Sequence, residues 1–154
     1  MIAFAREPFG PKLYVEMYPL LVKHWHDVAK YHDIVLAPDV EMYVAQQQQN
    51  TLRIYTIRQE DTLKGYAAFM VRSALHYKQS LQAAQDVIFV DQSLRGTTPL
   101  KFIRFCDDML RAEGVQVVYQ HVKVAPGLNF GKILERHGYE LVEHIYAKRL
   151  DKER

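Results

Sequence analysis

Cysteine is almost missing from this chain: Cys106 is the one thiol in 154 residues, so no internal disulfide can staple the fold. Glycine and proline are scarce, at seven and six, which excludes collagenous and low-complexity classes. No apolar run approaches the roughly 20 residues that a membrane-crossing helix needs. No block of lysine and arginine is long enough to follow a phosphate backbone, and the formal net charge is only +2, so neither a membrane nor a nucleic acid is expected as a partner. The first ten residues carry charges and a proline where a secretory signal needs an apolar stretch. With the single cysteine, this makes the cytoplasm the expected compartment.

What is present is the balance of a folded domain. Hydrophobic residues make up 49% and charged residues 25%, and a chain of this length can bury well over half of its unfolded surface in one core. Residues 1–154 are therefore expected to form a single domain.

Residues 2–6 suggest a first strand, closed by Pro8, Gly10 and Pro11. Leu13, Met17, Leu20, Leu21, Trp25 and Val28 recur at helical spacing over residues 12–30, with Pro19 marking a kink or break. A second helix is expected over 39–49. From Leu52 the period changes to that of strands, and Glu60-Asp61 supplies a turn. Residues 65–77 continue as a strand, 80–85 look polar and turn-like, and 86–91 form a compact strand. A helix over 100–113 puts Leu100, Ile103, Cys106 and Leu110 on one face, and Gly114 stops it. A strand over 115–124, a helix over 128–137 ended by Gly138, and a strand-rich segment over 139–150 complete an α+β order with a β-α-β unit at its centre.

Chemistry is best sought in the strand-turn-helix from residue 86 to 108, because a helix N-terminus after a tight turn presents free backbone N–H groups and a positive dipole end. Arg95 adds charge there and Gly96 allows close backbone approach. A plain connection capped by Thr97 or Thr98 is the simpler reading of the same residues.

The run Ile88-Phe89-Val90-Asp91-Gln92-Ser93-Leu94-Arg95-Gly96 resembles the strand and loop entry of the acetyl-CoA motif in the GNAT superfamily of N-acetyltransferases. Ile133-Leu134-Glu135-Arg136-His137-Gly138-Tyr139-Glu140 resembles the second signature of that family. The ending from Gly138-Tyr139 to Lys148-Arg149-Leu150 looks loosely like GNAT-like proteins encoded by tailed bacteriophages. The resemblance implies a mixed, mostly antiparallel central sheet flanked by helices and splayed between two parallel central strands. It implies acetyl-CoA as cosubstrate, held by Phe89, Val90, Asp91, Arg95, Gly96, Thr97, Thr98 and Leu100, and a primary amine of a small molecule or protein as acceptor. A homodimer is a family-level expectation.

In the family's direct-attack chemistry a backbone N–H from residues 89–91 stabilises the oxyanion. Asp86, Asp91 and His121 are the candidate bases for the ammonium group. Three family positions differ here: Thr98 and Leu100 stand where the loop carries small residues, and Leu134 stands where many members carry a tyrosine acid. Tyr139, Tyr119 and Tyr146 lie nearby in sequence as substitutes. These differences keep a catalytically silent GNAT-fold module as the alternative. His24 and His26 fall on different helix faces without a cysteine or paired carboxylate to complete a set, so no metal site is expected. Cys106, on an apolar face, is a core residue.

Overall fold

The computed structural model describes residues 1–124 and 129–152. In chain order the elements are β1 (Ile2–Arg6), α1 (Pro11–Val28), α2 (Val40–Gln48), β2 (Leu52–Gln59), β3 (Thr62–Ala74), β4 (Tyr77–Val90), α3 (Thr98–Ala112), β5 (Val117–Tyr119) and α4 (Phe130–Glu135). The strands form one sheet in the order β1-β2-β3-β4-β5. The first three pairings are antiparallel and the last, β4 with β5, is parallel. This is the expected α+β arrangement.

Alternation along the strands builds a core on each face of the sheet. Tyr55, Ile57, Ala67, Phe69, Val71, Ala83 and Val90 face α3, which buries Phe102, Cys106 and Leu110 against them. Leu52, Ile54, Leu63, Tyr66, Ala68 and Phe89 face the opposite way, onto Leu13, Met17 and Leu20 of α1. Pro19 does not break α1, because the stripe on its buried side holds both halves of the helix to the sheet. Arg58 of β2 ties the start of α1 down through Glu7 at 2.7 Å and Glu16 at 2.8 Å. Asp39 caps α2 by accepting a hydrogen bond from the Met42 N–H at 2.9 Å.

The β2–β3 turn falls at Glu60 and Asp61, both with positive φ, which suits a two-residue hairpin loop. The next hairpin differs from expectation. Residues 80–85 are not a turn but the first half of a long β4, whose Leu81–Gln85 pair with β3. Ser80 and Gln82 lie on the half-exposed face of the strand, whereas Gln85 follows Leu81 and Ala83 on the inward face and is buried. The parallel ladder accordingly joins Gln82, Ala83 and Ala84 to Val117, Val118 and Tyr119, one step before residues 86–91. β5 ends at Tyr119 rather than running on to residue 124.

Two further expectations are corrected. The last helix covers only Phe130–Glu135, with Leu128 outside the described residues. Residues 139–150 form no strand: Leu141, Val142, Ile145 and Tyr146 are exposed, and no ladder joins them to the sheet. A strand-like composition needs a partner strand to become a strand. The segment is instead held at its end by Arg149, which donates to both carboxylate oxygens of Asp33 at 2.9 and 3.0 Å and stacks over the Tyr31 ring.

Candidate active site

The site begins with one extra residue in β4. Ala68 of β3 pairs with Val87 and Phe69 pairs with Gln85, so Asp86 has no partner of its own. A bulge of this kind bends its strand and sharpens the twist. The ladder to β5 lies wholly before it, at Gln82–Ala84, and beyond it β4 is paired to β3 alone. The two parallel strands therefore part. At the start of the gap Gln85, itself buried, accepts a hydrogen bond from the His121 N–H at 2.8 Å through its side-chain Oε1. A side chain replaces the main-chain rung, and the chain leaving β5 is held at that spacing.

The far half of β4 turns one edge into this gap. Asp91 donates its N–H to the Lys64 carbonyl of β3 at 2.7 Å. Alternation in an antiparallel ladder then points the N–H and C=O groups of Ile88 and Val90 away from β3, towards β5. The Val90 carbonyl is already used, accepting from Arg95 Nε at 2.9 Å. The Val90 N–H faces the opening. Gly65 makes the strand contact close here, since a Cβ on it would stand 2.6 Å from the Phe89 carbonyl oxygen.

The loop is shaped by its own residues. Asp91 Oδ1 accepts from the Ser93 N–H at 3.0 Å and from Ser93 Oγ at 2.7 Å, forming an Asx turn. Those bonds, with Lys23 3.6 Å away, hold the Asp91 carboxyl below its usual range. Leu94 is buried and pins the turn to the core. Arg95 then returns over β4, its guanidinium 5.8 Å from the Phe89 ring centre. Gly96 and Thr97 are exposed, and α3 begins at Thr98 with Pro99 in its first turn. The Thr97 hydroxyl makes no capping bond to the helix, so the simple cap expected from Thr97 does not form. Thr98 is 8% exposed, so its side chain is turned into the protein, and Pro99 brings no N–H to the first turn.

The other candidates are dispersed. Asp86 is exposed at the bulge and His121 is exposed beside Gln85. Tyr139 donates to Asp107 Oδ1 of α3 at 2.6 Å, and burial first, then that bond, raises its pKa above the ordinary tyrosine value. Burial likewise raises Asp107. Leu134 is buried, and Leu100, half-buried, gives its carbonyl to the His137 Nε2–H at 2.9 Å. Cys106 is fully buried, which pushes its thiol well above the ordinary range.

Sequence reasoning missed Gln85 and His24. The signal for Gln85 was a polar residue following Leu81 and Ala83 on an inward-facing alternation. For His24 it was the helical stripe Leu13, Met17 and Leu20, which residue 24 continues. His24 lies with its ring centre 5.6 Å from that of Phe89.

A strand that bulges away from its parallel neighbour beside a helix N-terminus, with α1 and α2 on one face and α3 on the other, defines the GNAT fold, and this chain has it. Solved structures agree. A ribosomal-protein-alanine N-acetyltransferase from Brucella melitensis biovar Abortus 2308 superposes with a TM-score of 0.71 at 17% identity, over 97% of this chain and 99% of that one. An aminoglycoside acetyltransferase from an uncultured soil metagenomic sample, in complex with sisomicin, gives 0.72 at 15% identity over 96% of each chain. A predicted acetyltransferase from Clostridium acetobutylicum with acetyl-CoA gives 0.67 at 10% identity over 97% of each chain. No protein-family model and no curated protein matches the sequence. No helix among the described residues is long and apolar enough to cross a membrane, and these residues contain no group of three or more potential metal ligands.

Proposed function

We propose that this chain transfers the acetyl group of acetyl-CoA to a primary amine of a small molecule or protein by direct attack. The observation that carries the reading is the gap between β4 and β5, with the Val90 N–H turned into it and the uncapped N-terminus of α3 beside it. A thioester laid in the gap continues the missing ladder. Its carbonyl oxygen accepts from the Val90 N–H, a donor fixed by the strand, which stabilises the negative charge that develops during attack. The pyrophosphate sits against the N–H groups at the start of α3, with Arg95, Gly96 and Thr97 around it and the Thr97 hydroxyl free to donate.

The buried Thr98 side chain and half-buried Leu100 are compatible with this approach. Tyr139, the substitute for Leu134 named from sequence, keeps its hydroxyl on Asp107, so the departing thiolate takes its proton from the attacking nitrogen. The acceptors named for the structural neighbours, an aminoglycoside and a ribosomal-protein alanine, span both small-molecule and protein amines and do not narrow the class.

Thermal unfolding with acetyl-CoA, with CoA and with neither tests the reading. A ligand at about 100 times its Kd adds roughly 2.7 kcal/mol to the native state, which raises the midpoint by several degrees at about 2–4 °C per kcal/mol. A shift with both ligands, and release of free CoA thiol when primary amines are added, is the expected result. An unmoved midpoint at millimolar acetyl-CoA and CoA overturns the proposal.

A further inference from the structure

An ammonium acceptor must lose a proton before its nitrogen can attack, and the three bases named from sequence are poorly placed for that task. Asp91 is engaged by Ser93 and Lys23, while Asp86 and His121 are exposed at the rim. His24 has the better position. It lies in the last two turns of α1, and its half-buried ring packs beside Phe89, the neighbour of Val90 in the gap. Lys123, on the chain leaving β5, and Arg95, on the loop, both act on it electrostatically. The imidazole therefore stands on the α1 face beside the end of β4, against the same Phe89 whose ring the Arg95 guanidinium of the loop approaches to 5.8 Å. Among the described residues no hydrogen bond engages its ring, in contrast to Asp91, Tyr139 and His137.

Resting on the transferase reading above, we propose that His24 takes the proton of the acceptor's ammonium group, so that the acceptor enters on the α1 face of the sheet. An ammonium N–H bond breaks, its electron pair stays on nitrogen and the proton goes to an imidazole nitrogen. The amine nitrogen forms the C–N bond to the acetyl carbon, and the C–S bond breaks with its pair on sulfur. A second nitrogen proton passes to the thiolate. His24 returns its proton to water, and one ammonium and one acetyl thioester have become one amide, one thiol and one proton.

The electrostatics agree in sign. Burial first, then Lys123 and Arg95, hold His24 below its ordinary value of 6.5, with Asp27 opposing. The ring is thus neutral at pH 7 and able to accept. Protonation at lower pH removes that capacity, so activity towards a basic amine should fall on the acid side.

The test uses wild type, His24→Gln and, as a control, His26→Gln, an exposed residue of α1. Each is given acetyl-CoA with ethanolamine, a basic amine, or hydroxylamine, which is largely unprotonated at pH 7, and thiol release is followed against pH. The acetyl-CoA midpoint shift reports folding and cosubstrate binding separately. The expected result is a loss of about 100-fold in kcat/KM with ethanolamine for His24→Gln, the size of a general-base contribution. The acid limb should disappear, the loss with hydroxylamine should be several-fold at most, and the acetyl-CoA shift should be kept. His24→Asn provides a second variant should the glutamine form not fold. Equal losses with both amines, or no loss with either, overturn the role of His24 alone. If wild type binds acetyl-CoA but acetylates neither amine, the transferase reading fails and this proposal falls with it.

Discussion

Replacing Gly65 by alanine probes the geometry of the gap from behind, because Gly65 is the β3 residue paired to Val90. An added Cβ would lie 2.6 Å from the Phe89 carbonyl oxygen and 2.9 Å from Ile57 Cδ1. The Ile57 methyl can rotate away. The carbonyl belongs to the backbone of β4, so ordinary van der Waals contact at 3.4 Å requires the two strands to separate. Overpacking of this kind costs about 1–3 kcal/mol, offset by about 0.4–1 kcal/mol from the stiffer unfolded chain. A net loss of about 1–2 kcal/mol lowers the thermal midpoint by about 2–8 °C. The same displacement carries the Val90 N–H away from the thioester, so the acetyl-CoA Kd should rise about tenfold, equivalent to about 1.4 kcal/mol. Gly96→Ala is the matched control: a Cβ there meets nothing within 4 Å and its φ is not positive, so stability should be unchanged or slightly higher. Differential scanning fluorimetry gives the midpoints, and calorimetric titration gives the Kd. Gly65→Ala with wild-type stability would refute the packing argument. Gly65→Ala with a lowered midpoint but wild-type acetyl-CoA affinity would refute the placement of the thioester beside Val90.

Two other outcomes follow from named contacts. Arg95→Ala should weaken CoA binding by about tenfold while Cys106→Ala leaves it within about twofold, because Arg95 lies on the loop and Cys106 only packs; equal Kd values in titration calorimetry refute the loop assignment. Glu7 and Glu16 are held below their ordinary value of 4.5, first by hydrogen bonds from Arg58. Their contribution is therefore fully present above about pH 5 and is lost as pH falls through the lowered folded-state values. Arg58→Met should cost about 2 kcal/mol at pH 7 and flatten the fall in stability below pH 4.5, measured by urea unfolding against pH; an unchanged acid slope refutes the network.

Much of this architecture was legible because periodicity reports which face is buried. The stripe Leu13, Met17 and Leu20 marks α1 as found, and of the expected α3 face Ile103, Cys106 and Leu110 are buried while Leu100 is half-buried and Phe102 joins the core instead. What the sequence hid depends on neighbours that are distant along the chain. Gln82 and Gln85 resemble turn residues until β3 is seen to pair with them. Leu141, Val142, Ile145 and Tyr146 resemble a strand, yet no ladder joins them to the sheet. The loop from Asp91 to Gly96 was legible as a candidate phosphate cradle, since Gly and Arg have direct meaning there. His24 was not, because a histidine on an apolar stripe gains significance only when Phe89, Arg95 and Lys123 are placed around it.

The unpaired Asp86 has a consequence for how this cleft can vary. Before it, odd-numbered Ala83 faces α3; after it, even-numbered Val90 does. Removing this one residue would restore strict odd-even parity while leaving every side chain on the face it now occupies, because the pairs on either side of it are already in step. The strand would simply straighten and run on beside β5. Whether the cleft exists is thus decided by the number of residues in β4, whereas the identity of residue 86 is nearly free to change, as its exposure allows. Chain length sets the opening, and composition is left to choose what fits it.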